Sequence, residues 1–145
     1  MVQPDPYNLQ RFIDAQNGAI DIALAELRAG SKQSHWMWFV FPQLAALGRS
    51  PIAKFYGIRS ADEARSYLDH PELGARLREC VAALQLWAGR RSAEQIFGSV
   101  DLMKLKSSLT LFDRLEPESI FEVALLNFFG GERDEQSLAL LLSQR

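Results

Sequence analysis

The sequence predicts an all-α fold: a compact single multihelical domain over residues 1–145, with about seven or eight helices joined by short connections. Three observations predict it. Apolar residues recur at spacings of three and four along most of the chain. Capping residues and glycine stops alternate at short intervals. Alternating strand patterns are almost absent: only "WMWFVF" reads as a buried strand, and one strand cannot make a sheet. There is no repeat, low-complexity tract or linker.

The elements follow in order. Asn8 is placed to cap a first helix, because its side chain can accept from the exposed amides of the first turn. Phe12, Ile13, Ala19, Ile20, Ala23, Leu24 and Leu27 form one apolar face, and Gly30 is the left-handed stop. Gly18 lies inside this helix, at a cost of ~1 kcal/mol relative to alanine. Ser34 is placed to cap a short helix through Val40, and Pro42 pushes Phe41 toward an extended conformation. "SPIAKFYG" has Ser50 as cap, Pro51 in the first helical position and Gly57 as stop. Ser60 and Glu63 have capping-box spacing. A further helix restarts at Pro71, keeps Leu73, Leu77, Cys80, Val81, Leu84 and Trp87 at helical period, and stops at Gly89. Ser92 and Gln95 form another capping box before the short "SAEQIFG". "SVDLMKLKSSLTLFDRL" carries Leu102, Leu105, Leu109 and Phe112 on one face. "PESIFEVALLNFFGG" starts on a proline and ends on two glycines, and Asp134 caps the closing helix.

Composition narrows the function classes. Hydrophobic residues make up 48% and charged residues 23%, with net charge -2 and pI about 5.7. Non-specific nucleic-acid binding relies on excess Lys and Arg, which this chain lacks, so a nucleic-acid partner is not expected without a local patch. The one cysteine, Cys80, rules out an intramolecular disulfide. The N-terminus "MVQPDPYNLQ" lacks the basic start and apolar run of a signal peptide, and no apolar stretch approaches the ~20 residues of a membrane span. A cytoplasmic, bacterial-type protein with no membrane partner is the expectation.

The stretch "SHWMWFVFPQL", Ser34 to Leu44, is the densest aromatic segment. If helical, Trp36, Phe39 and Val40 share one face, and His35 and Trp38 lie on its neighbour. Two tryptophans are costly to bury fully, since each indole N–H needs an acceptor. Two readings stay open. The segment is a central core helix with His35 satisfied inside it, or one face packs inward while His35 and Trp38 line a cavity.

"SHWMWFVFPQLAALGRSPIAKFYGI", "DHPELGARL", "IFGSVDLMKLKSSLTLF" and the later "FFGG" resemble a small bacterial family of uncharacterised proteins, catalogued as a domain of unknown function and sometimes labelled "calpastatin". The likeness runs over nearly the whole chain. It implies an all-helical single domain and no established activity. Nothing in the sequence resembles a disordered, Pro- and Lys-rich protease inhibitor.

"DLMKLKSSLTLF" is the second unusual segment: Lys104, Ser107, Ser108 and Leu111 make a stripe beside the apolar face. A lysine with two hydroxyls one turn along can hold an anion. The alternative is a solvated face whose serines bond back to carbonyls one turn earlier. Arg49 precedes a helix start, where free amides favour anions. Asp101 either pairs with Lys104 or caps its helix. Catalytic signatures are missing. A metal site needs three or four N/S ligands, and His35, His70 and Cys80 would all have to converge, so no metal is expected. Cys80 falls on an apolar stripe and reads as an inert small hydrophobe; His70 reads as an exposed turn residue. There is no glycine-rich phosphate loop and no nucleophile elbow.

Two functional readings follow. The first is a small-ligand pocket with an aromatic wall (Trp36, Trp38), a polar group (His35) and an anion clamp (Lys104, Ser107, Ser108, with Arg49), suited to a phosphate- or nucleotide-like ligand. The second is a non-catalytic protein-interaction or self-associating module with no small-molecule site. The first requires His35, Trp38 and Lys104 in one concave pocket; the second predicts them scattered.

Overall fold

The computed structural model describes residues 4–143. Among them are nine α-helices, one 3-10 turn at Ala45–Leu47 and no strand. Helices α1 (Gln10–Gln16) and α2 (Ile20–Ala29) divide the region read as one helix. Gly18 is the reason: its φ of +87° breaks the helix between them. Asn8 does not cap α1. It has φ +52°, and the Asp5 carboxylate accepts instead from the amides of Leu9 (2.7 Å) and Gln10 (3.0 Å). Gly30 ends α2 in the left-handed conformation, as expected.

Helix α3 (Met37–Val40) is a single turn that begins three residues after Ser34, with Trp36 at its N-cap. Helix α4 (Pro51–Phe55) has Ser50 accepting from Ala53 N and Pro51 in its first turn. Gly57 directly follows its C-cap Tyr56, without a left-handed backbone. A Cβ there would stand 2.4 Å from Ala45 Cα, so Gly57 permits close backbone approach. Beside it, Ala45 N donates to Ile58 O (2.8 Å) and Ile58 N to Gln43 O (2.9 Å), which ties the segment after α3 to the segment after α4.

Helix α5 (Ala61–Asp69) is capped by Ser60, but the box is not reciprocal: the Glu63 carboxylate takes Arg59 N and Arg11. Helix α6 (Leu73–Gln85) starts two residues after Pro71, with the His70 Nδ1 accepting from Glu72 N and Leu73 N. Helix α7 (Ala93–Leu115) opens on the Ser92–Gln95 capping box and bends at Gly98, where φ is +83°. Helices α8 (Ile120–Phe129) and α9 (Glu135–Ser143) complete the fold, capped by Ser119 and Asp134.

One core joins these helices. Phe12, Leu27, Trp36, Tyr67, Leu84, Leu105, Phe112 and Phe121 are among its fully buried members. The long α7 packs most extensively on α8, and α2 on α6. Leu102, placed on the apolar face of α7 by its spacing, only partly enters this core. Met103, Lys104 and Ser107 of α7 face α3, the 3-10 turn and the start of α9, and there the surface is concave.

Candidate functional site

The aromatic stretch is anchored by one carboxylate. Glu26 in the last turn of α2 accepts from Gln33 N (2.9 Å), Ser34 N (3.0 Å), Ser34 Oγ (2.6 Å) and Trp36 Nε1 (2.9 Å). Burial raises this carboxyl, but its hydrogen bonds from Ser34, Gln33 and Trp36 outweigh burial and hold it at about 2, below its ordinary 4.5. Ser34 is thereby drawn away from the start of α3. The Trp36 ring lies wholly in the core, edge-on to Phe97 and tilted against Phe41.

Trp38 turns to the other side of the segment and is half-buried. The Lys104 ammonium sits 4.5 Å above its ring, a cation–π contact between α7 and α3. Asp101, one turn earlier on α7, pairs with Lys104 (3.2 Å) and with Lys32 (2.8 Å), and Lys32 lies 4.9 Å over the Trp36 ring. Burial raises the Asp101 carboxyl, but the hydrogen bonds and charges of the two lysines hold it below the usual carboxylate range. Asp101 thus pairs with Lys104 and adds a second lysine distant in sequence.

Beside this pair lies a cleft of about 400 Å³. Trp38, Leu47 and Met103 give it apolar surface, and Arg49, Lys104 and Ser107 give it polar groups. Gly48 lets its rim fold onto α4, since a Cβ there would meet Ala53 Cβ at 2.6 Å. Of the residues singled out from the sequence, Trp38, Arg49, Lys104 and Ser107 come together here, while His35, Trp36 and Ser108 do not. His35 is exposed in the turn before α3, because α3 starts at Met37. Trp36 is consumed by the core. Ser108 is one residue, about 100° of helix, beyond Ser107 and is fully buried with no partner for its Oγ among the described residues. The requirement that His35 share a pocket with Trp38 and Lys104 is therefore not met, although Trp38 and Lys104 do share one.

Gln43, Asp134 and Gln136 also line the cleft and were not foreseen as site residues. Asp134 was legible only as a helix cap, which it is: Oδ2 accepts from Ser137 N (2.9 Å) and Ser137 Oγ (2.6 Å). Gln43 carried one faint signal, a polar residue in an otherwise apolar run.

A second concavity of about 300 Å³, near Tyr7, Phe55 and Ser60, is built around Arg11. That guanidinium is already committed to Phe55 O, Tyr7 O, Asn8 O, Gly57 O and Glu63, the last at 2.7 Å. It fastens α1 to α5 and leaves no donor for a ligand. Among the described residues no three His, Cys, Asp or Glu side chains gather to hold a metal ion. Cys80 is buried, and burial, helped by the Glu79 charge, pushes its thiol up to about 12.

The crystal structure of the conserved hypothetical protein Rv1873 from Mycobacterium tuberculosis is similar to this fold. The TM-score is 0.92 at 47% sequence identity, covering 95% of this chain and 99% of that one. No curated protein matches the sequence. A family model described as a protein of unknown function matches residues 6–141, and on that match the chain belongs to the DUF1810 family.

Proposed function

We propose that the protein binds a small phosphate-bearing ligand in the cleft lined by Trp38, Arg49, Lys104 and Ser107. The observation that carries this reading is the Lys104 ammonium, held 4.5 Å over Trp38 at the wall of a cleft that also contains Arg49. Arg49 is exposed and has no ion pair among the described residues. Lys32 and Lys104 share the single carboxylate of Asp101, so that cluster keeps one positive charge. Trp38 serves as a platform for the cation, because Lys104 covers one of its faces.

A charge-assisted contact contributes about 1.5–3 kcal/mol, and ~1.4 kcal/mol is tenfold in affinity. The test is thermal unfolding of wild type, Lys104→Met and Arg49→Met across inorganic phosphate, pyrophosphate and AMP. A ligand held only by the native state raises the midpoint by mass action. Wild type should shift, and each variant should need about ten times more ligand for the same shift. Equal shifts in all three proteins, or none, would remove the reading. The exposed Val100 and Met103 on α7 would then favour the protein-interaction module. The setting proposed is the bacterial cytoplasm; the mycobacterial relative supports the bacterial part of it. Among the described residues no helix is long and apolar enough to cross a membrane.

A further inference from the structure

We infer that the cleft selects a phosphate ester whose other end donates hydrogen bonds, through hydroxyl or amino groups, to Asp134, Gln43 and Ser107. This rests on the anion reading above and names the part of the ligand that reading leaves open. Three polar side chains of the cleft are each at least nine-tenths buried: Gln43 is 9% exposed, Ser107 6% and Asp134 8%. None has its hydrogen-bonding capacity filled. The Gln43 amide and the Ser107 hydroxyl make no side-chain hydrogen bond among the described residues, and Asp134 uses Oδ2 but not Oδ1. These groups differ from Ser108 Oγ and Asp113 Oδ1, which are also unpartnered but sealed from solvent. A buried polar group without a partner is costly, and one lining a cleft can be satisfied by what enters it.

Charge sets the ligand's polarity. Asp134 has no cation paired to it among the described residues, so a bare anion entering the cleft meets a like charge as well as Arg49 and Lys104. A molecule that places its phosphate on Arg49 and Lys104 and an O–H or N–H on Asp134 Oδ1 satisfies both signs. Carboxylate acceptors and serine and amide groups suit that donor end.

The experiment compares methyl phosphate, ribose 5-phosphate and O-phosphoethanolamine by calorimetric titration of the full chain. Methyl phosphate carries the anion without donors, ribose 5-phosphate adds hydroxyls, and O-phosphoethanolamine adds an ammonium. At least one donor-bearing ester should bind tenfold or more tighter than methyl phosphate, and whichever is tighter identifies the donor as hydroxyl or amine. Asp134→Asn keeps a cap for Ser137 N but replaces the open acceptor with a donor. It should abolish the tenfold preference while binding methyl phosphate at least as well as wild type. Ser107→Ala, which leaves the cap untouched, should reduce the preference severalfold. Equal affinity for all three esters, or an unchanged preference in both variants, overturns the inference and leaves the anion reading standing. Failure of all three to bind overturns both.

Discussion

The indole N–H of Trp36 donates to Glu26 Oε1 at 2.9 Å, across a turn that leaves α2 and enters α3. That bond gives the buried Trp36 indole its acceptor, while Trp38 stays half-buried at the cleft wall. The same carboxylate holds the backbone of Gln33 and Ser34, so it orients the chain immediately before Trp38. Glu26→Gln places an amide N–H among groups that all donate. Hydrogen bonds to a charged partner contribute about 1.5–3 kcal/mol, and a loss of that order in urea unfolding is expected. Acid should remove the same stabilisation. The folded carboxyl lies at about 2 and the unfolded one near 4.5. Its contribution is complete above pH 4.5 and fades as pH falls toward 2. Asp101, also lowered, acts in the same direction. Wild type and Glu26→Gln should therefore converge in stability between pH 4.5 and 2; a constant gap would contradict the assignment.

Leu84 and Leu105 are fully buried, on α6 and α7. Replacing either with alanine should cost about 2–5 kcal/mol, lost transfer energy plus the cavity left behind. Chemical denaturation reads this directly. A cost below ~0.5 kcal/mol, the range of surface substitutions, would mean that the residue is not core.

His35 and Trp36 are adjacent in sequence and opposite in environment. His35→Ala should stay within ~0.5 kcal/mol of wild type and leave phosphate binding unchanged, because the imidazole is exposed and outside the cleft. Trp36→Ala should cost about 3–5 kcal/mol. Trp38→Ala should cost less than Trp36→Ala and weaken the ligand, since it removes the platform beneath Lys104.

Cys80 should be silent in the native protein. Its thiol is buried and pushed up to about 12, and the thiolate is the reactive form. Iodoacetamide at pH 8 should leave the folded chain unmodified over hours and label it fully in guanidinium chloride. Rapid labelling of the folded chain would show that α6 opens.

Gly57→Ala should destabilise the protein although its backbone is not left-handed. The added Cβ meets the Ala45 backbone at 2.4 Å, and neither segment can withdraw without losing the Ala45–Ile58 and Ile58–Gln43 hydrogen bonds. The expected loss is about 1–3 kcal/mol, as for overpacking. Unchanged thermal stability would show that the segments separate freely.

Local features were legible from the residues alone. Apolar spacing made the chain all-helical, and the side chains of Ser50, Ser60, Ser92 and Asp134 set helix starts, because a cap satisfies amides only a few residues away. Gly30 and Gly130 ended helices through their own backbone freedom. Of the two readings open for Asp101, the pairing with Lys104 one helical turn away holds, and the cap does not, because Asp101 lies inside α7. Tertiary structure decided what depends on groups distant in sequence. Asp5 rather than Asn8 capped α1, and Glu26 took Ser34 from the helix it was expected to start. Lys32 reached Asp101, 69 positions further along the chain. The cleft is of this second kind. Trp38, Arg49, Asp134 and the Lys104–Ser107 pair come from four separate places in the chain. Periodicity could put Lys104 and Ser107 on one flank of α7, but not say what faced them. Spacing along one helix leaves the rotation of neighbouring helices open, and only packing of the shared core sets that rotation. It turned Ser107 outward to the cleft and Ser108 inward.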